Sequence, residues 1–169
     1  MELAIGDPAA AERYLREGYE AFRAMGERGY FTSVATLLAK ALYEQSRLDE
    51  AQQMIEEAKA AAGPDDLDTD VYWQTTRAKL LAWRGDFPAA RRVMGEAQAL
   101  ISSASSALEQ ADVLMAEAEV NRFAGATGRA ATSLRAALQI YEDRRATFLA
   151  EKTRAALASL LPQPGREPA

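Results

Sequence analysis

At 169 residues the chain is long enough to bury one sizeable core or to stack several short units. Its 37 alanines, set against 8% aromatic residues, make helical material, because alanine has the best intrinsic helix propensity and lets helices approach closely. The 20 basic and 25 acidic residues are interspersed with a net charge of −5, which provides no basic field for nucleic acid or an anionic membrane, and the absence of cysteine and histidine removes disulfides, Cys/His zinc sites, thiolate nucleophiles and imidazole catalysis.

In chain order, the opening MELAIGDP has an acidic residue where a signal peptide carries positive charge. No window approaches the roughly 18 apolar residues of a membrane helix, so the expectation is a soluble, cytoplasmic chain. Apolar periodicity and turn residues predict helices near 8–25, 28–45, 48–62, 69–84, 87–101, 105–124, 127–143 and 145–160, broken at Gly26, Gly63-Pro64 and Gly85. The tail LPQPGREPA is Pro-rich and polar, and residues 162–169 are expected to be disordered.

The turns GDPAAA at 6–11, SRLDEA at 46–51, GDFPAA at 85–90 and GATGRA at 125–130 superpose. Ala11, Ala51, Ala90 and Ala130 then fall in register at separations of 40, 39 and 40 residues, a period that points to a solenoid of helix pairs. Twelve residues before the last three stand Ala39, Ala78 and Ala118, and seven after all four stand Gly18, Ala58, Ala97 and Ala137. Small residues at mid-helix let paired helices close to the short end of the usual interaxial range, with Leu15, Ile55, Met94 and Leu134 filling the gaps between them.

These intervals, with a Gly-x-(aromatic or Leu)-x-x-Ala turn, resemble the tetratricopeptide (TPR) repeat over roughly residues 5–143. The period exceeds that family's usual length of about 34. Ala35, Gln74 and Leu114 replace its early aromatic, the closing proline survives at best as Pro64, the turn GATGRA is degenerate, and Asn121 fills a slot held elsewhere by Leu42 and Leu81. The segments MGERGYFTSVATLLAKALYEQSRLDEA and PDDLDTDVYWQTTRAKLLAWRGDFPAARR are further similar to the C-terminal repeat region of bacterial adenylate/guanylate cyclase–ATPase signalling proteins. The chain has neither a cyclase's metal-binding carboxylates nor a phosphate loop, so the resemblance implies the repeat arm alone.

The expected fold is therefore all-α, a TPR-like right-handed superhelix forming a single domain over 1–161. It comprises a half repeat at 5–26, repeats at about 27–64, 65–103 and 104–143, and a C-terminal capping helix within 145–161. The resemblance implies that the first helix of each pair lines a concave face. By register its outward positions are Ser33, Thr36, Lys40 and Tyr43, then Tyr72, Thr75, Lys79 and Trp83, then Asp112, Met115, Glu119 and Phe123. Aromatic and basic groups together suit peptide recognition. In the competing reading Trp83 and Phe123 pack at pair junctions and the lysines are ordinary solvated charges.

Arg77 and Glu117 share a register position where Leu38 stands in the first pair, which suggests an ion pair across the stack or, alternatively, an arginine that grips an anionic ligand. The acidic run Asp65-Asp66-Leu67-Asp68-Thr69-Asp70 lacks the glycine and terminal glutamate of a calcium loop and reads as helix capping. Helix 8–25 reads as a second-of-pair helix without its mate, whose stripe of Tyr14, Leu15, Gly18 and Phe22 predicts self-association, most simply as a two-fold homodimer. Alternatively, Tyr14 and Phe22 fold back onto helix 28–45. The expected function is a non-catalytic protein-binding or regulatory arm with no cofactor, no metal, no nucleic-acid partner and no membrane partner. The alternatives are a receptor for a short peptide or small signal molecule in the groove and, more remotely, an enzyme of unknown type.

Overall fold

The computed structural model of the chain describes residues 7–63, 71–103 and 107–160. It is all-α, with no strand among the described residues. The helices are α1 (Pro8–Met25), α2 (Arg28–Glu44), α3 (Leu48–Ala61), α4 (Val71–Trp83), α5 (Phe87–Ser103), α6 (Ala107–Phe123), α7 (Thr127–Asp143) and α8 (Thr147–Leu160). None is long and apolar enough to cross a membrane. The acidic run 65–70, Pro64 and the tail 161–169 lie outside the described residues.

Five of the connections close in one way. The backbone N–H groups of Glu27, Arg47, Asp86, Ala126 and Ala146 donate to the carbonyls of Phe22, Leu42, Leu81, Asn121 and Tyr141, each five residues back. The residue before each donor is left-handed: Gly26, Ser46, Gly85, Gly125 and Arg145. This is the Schellman arrangement, which satisfies orphan carbonyls and stops the helix. Asp7 and Asp86, at one register position, then cap the following helices by accepting from the N–H groups of Ala10 and Ala89.

Tight turns fold α2 onto α3, α4 onto α5 and α6 onto α7, while α4 packs on both α2 and α6. Ala39, Ala51, Ala58, Ala78, Ala90, Ala97, Ala118, Ala130 and Ala137 are all buried, as are Ile55, Met94 and Leu134. The apolar interior runs as three successive clusters. The first joins α1, α2 and α3 to Trp73 and Leu80 of α4; the second joins α4 and α5 to Val113, Ala116 and Val120 of α6; the third joins α6, α7 and α8. Each cluster thus draws on a helix pair and its neighbour, so stability rests on adjacent contacts rather than on one central core. Trp73 shows the junction in detail: its indole N–H donates to the Ile55 carbonyl, and the Arg77 guanidinium lies 4.9 Å above its ring.

Helix α1 is tied on by charge as well as packing. Glu12 is buried, and its carboxylate accepts from Arg16, Gln45 and Arg47 at 2.6–2.8 Å. Burial alone would raise its pKa, but these hydrogen bonds hold it at about 2. Farther along α1, the Tyr19 hydroxyl donates to Glu57 of α3, and burial with that carboxylate raises the phenol to about 12.

Candidate functional site

The row of first-helix residues is brought together across α2, α4 and α6, but much of it is turned inward. The Lys79 ammonium lies 4.1 Å over the Tyr43 ring and 3.8 Å from the Glu119 carboxylate, linking all three helices. Lys79 and Tyr43 are both buried. Burial lowers the Lys79 pKa, opposed by Glu119 and reinforced by Lys40, while burial and then Glu119 raise the Tyr43 phenol. Lys40 of α2 crosses to the Tyr72 ring of α4, 5.0 Å from its centroid. A cation on an aromatic face keeps much of its electrostatic compensation when water is partly excluded, which makes these two lysines fixed features rather than mobile surface charges.

The remaining positions divide by their contacts. Thr36 is fully buried, its hydroxyl without a hydrogen-bond partner among the described residues, and Thr75 is buried with its hydroxyl donating to the Val71 carbonyl. Met115 is half-buried and its sulfur accepts from Thr153 of α8. Asp112 accepts from the Tyr141 hydroxyl at 2.6 Å. Phe123 packs against the second cluster under the Arg122 guanidinium, as the junction reading expects. What reaches solvent is Trp83, 38% exposed, together with Ser33 and the half-buried Lys40, Tyr72 and Glu119.

The expected Arg77–Glu117 ion pair does not form. Arg77 stacks on Trp73 one turn earlier in its own helix, and Glu117 accepts from the Ser133 hydroxyl of α7. A planar guanidinium stacks well on an indole, and Arg77 takes that partner within its own helix.

On α1 the structure separates residues that the sequence grouped together. Leu15 joins the first cluster rather than the surface, and Phe22 folds back, stacking on Tyr30 at 5.4 Å. Tyr14 remains 73% exposed. Its register equivalents Met54, Val93 and Ser133 are 7%, 0% and 6% exposed, so the same position faces a helix in α3, α5 and α7 and solvent in α1.

Sequence reasoning missed a second feature, a cleft of about 170 Å³ lined by Arg91, Met94, Gly95 and Gln98 of α5, Glu117, Val120 and Asn121 of α6, and Arg129 of α7. The signal was present in the sequence as departures from the period, since Asn121 stands where Leu42 and Leu81 recur and Glu117 where Leu38 stands in the first pair. Comparison of the chain with protein-family models, with curated proteins and with solved structures finds no match.

Proposed function

We propose that the chain is a non-catalytic interaction arm, a TPR-like superhelix whose first helices α2, α4 and α6 form a concave face that holds an extended protein segment. The observation that carries this reading is the ordered row of Lys40 on Tyr72 and Lys79 on Tyr43, next to the exposed Trp83. Side chains already immobilised in the free protein lose little further entropy on binding, and a part-exposed tryptophan is the commonest kind of interface anchor. Tyr43 and Lys79 then shape the floor, and Lys40, Tyr72, Trp83 and Glu119 make the contacts. A segment with an aromatic residue for Trp83 and a carboxylate for Lys40 fits this surface.

The test is a displayed random-peptide library panned against the chain. Enriched sequences should be acidic and aromatic, and Trp83→Ala and Lys40→Glu should each weaken their binding by about tenfold or more while leaving the helical circular dichroism unchanged. Peptides indifferent to both substitutions would place the binding surface elsewhere.

A second reading rests on Tyr14. Its exposure at a register position buried in three other helices supports docking of a helix against α1, and a second copy of the chain would provide one. Sedimentation equilibrium at micromolar concentration tests this reading: a monomer unaffected by Tyr14→Glu removes it.

A further inference from the structure

Three departures from the helical period meet in the cleft between α5, α6 and α7. Asn121 occupies the slot of Leu42 and Leu81, Glu117 that of Leu38, and Gly95 interrupts the middle of α5, where an added Cβ would meet nothing within 4 Å. Each is costly or neutral for folding taken alone. A helix-interior glycine costs about 1 kcal/mol relative to alanine, and a polar side chain in a leucine slot forfeits the apolar burial of that slot. Asn121 is only 7% exposed, and its amide makes no hydrogen bond to a described residue but still reaches the solvent of the cleft, since the buried side-chain polar atoms left without a partner are those of Thr36 and Gln74. Together, however, these three residues line one recess, with Met94 and Val120 as its apolar wall.

The rim carries the charge. Arg91 on α5 and Arg129 on α7 both line the cleft, and neither has an ion-pair partner among the described residues, although Glu117 lines the same space. Glu117 is instead held by the Ser133 hydroxyl at 2.9 Å, which leaves its other lone pairs free to accept. The cleft therefore offers two guanidiniums for a carboxylate, a fixed carboxylate for an N–H donor, and an unpaired amide able to donate or accept beside both. None of these residues belongs to the first-helix row.

We propose that this cleft is a binding site for an acidic amino-acid unit, a carboxylate with a neighbouring N–H donor, held between Arg91, Arg129, Asn121 and Glu117. Arg91 and Arg129 bind the carboxylate, Glu117 accepts from the N–H group, and Asn121 fixes the orientation. The recess is of side-chain size, so it takes one such unit, either free as aspartate or glutamate or borne on a peptide chain.

Backbone and side-chain amide NMR of the full chain, titrated with three probes at millimolar concentration, tests the site. The probes are free aspartate, a capped Gly-Asp-Gly peptide, and succinate, which has the carboxylates but no N–H donor. The expected result is saturable shifts centred on residues 91–98, 117–121 and 129 with aspartate or the peptide, and binding at least about tenfold weaker with succinate. A response to the peptide alone assigns the site to a chain-borne residue, and a response to free aspartate alone assigns it to the metabolite. Two variants separate site from scaffold. Asn121→Leu restores the leucine of the period and Gly95→Leu fills the recess from an open helix position; both should fold at least as stably as the parent and lose the response. Absence of a localised, saturable shift with both aspartate and the peptide overturns the proposal, as does a response undiminished in both variants.

Discussion

Glu12 offers the sharpest test of how α1 is held. Substitution by glutamine keeps the shape and removes the charge that accepts from Arg16, Gln45 and Arg47. The carboxyl titrates at about 2 in the folded chain against an ordinary value of 4.5, and a difference of that size corresponds to at most about 3 kcal/mol. Solvent reaches the partners, since Arg16 and Arg47 have side chains 43% and 37% exposed, so screening reduces the expected contribution to about 1–2 kcal/mol. The sign follows from the depressed pKa. The stabilisation is complete above about pH 4.5, where the carboxyl is ionised in both states, and is lost as the pH falls through about 2, where the folded state must take up the proton. Urea unfolding of the parent and of Glu12→Gln across this range reads the difference directly and cancels the other carboxylates. The gap should be about 1–2 kcal/mol at neutral pH and close between pH 4.5 and 2. A gap independent of pH, or none at neutral pH, refutes the reasoning and leaves α1 held by Leu15, Tyr19 and Phe22 alone.

Gly18 stands in the alanine slot of the period, and a Cβ there would meet Val34 and Phe22 at ordinary contact distances of 3.8–3.9 Å; Gly18→Ala should therefore stabilise the fold by about 0.5–1 kcal/mol in denaturant titration. Ala90 is fully buried, so Ala90→Leu should overpack the α4–α5 junction and cost about 1–3 kcal/mol, visible as a lowered melting temperature. Lys79→Met removes a buried charge whose pKa burial depresses, and should be neutral or stabilising by thermal melt, whereas Glu119→Ala, which strips that charge of its carboxylate, should destabilise.

The helices were legible because their signals are local. Ser46, Gly85 and Gly125 lie 39 and 40 residues apart and all adopt the left-handed turn conformation, so the turn register could be read even where the glycine is replaced by serine. The buried alanines followed from the same register, because a position that allows close approach in one pair does so in the next. Side-chain direction did not follow. Thr36, Tyr43 and Lys79 share a face with the exposed residues, but a lysine has a long reach, and whether its ammonium ends in water or on a ring depends on what the next helix places within about 6 Å. The Arg77–Glu117 pair failed in the same way, with Arg77 stacked on Trp73 and Glu117 accepting from Ser133.

Departures from a period carry a different kind of information. A residue that fits its slot is explained by packing and is uninformative about binding, whereas one that costs stability in its slot calls for a compensating gain, and that gain is located only when the departures are placed in space. Along the sequence Gly95, Glu117, Asn121 and Arg129 look unrelated, spread over three helices. Packing α5 and α7 against α6 gathers them on one recess, with the open helix position of Gly95, the Asn121 amide and two arginines without ion-pair partners among the described residues. Three departures from the period falling within a single cleft of about 170 Å³ argue for one shared constraint on that surface. The first-helix row, by contrast, is satisfied internally apart from the buried Thr36 hydroxyl, so its proposed binding role rests on the exposed Trp83 and on the half-buried Lys40 and Tyr72 rather than on its buried members.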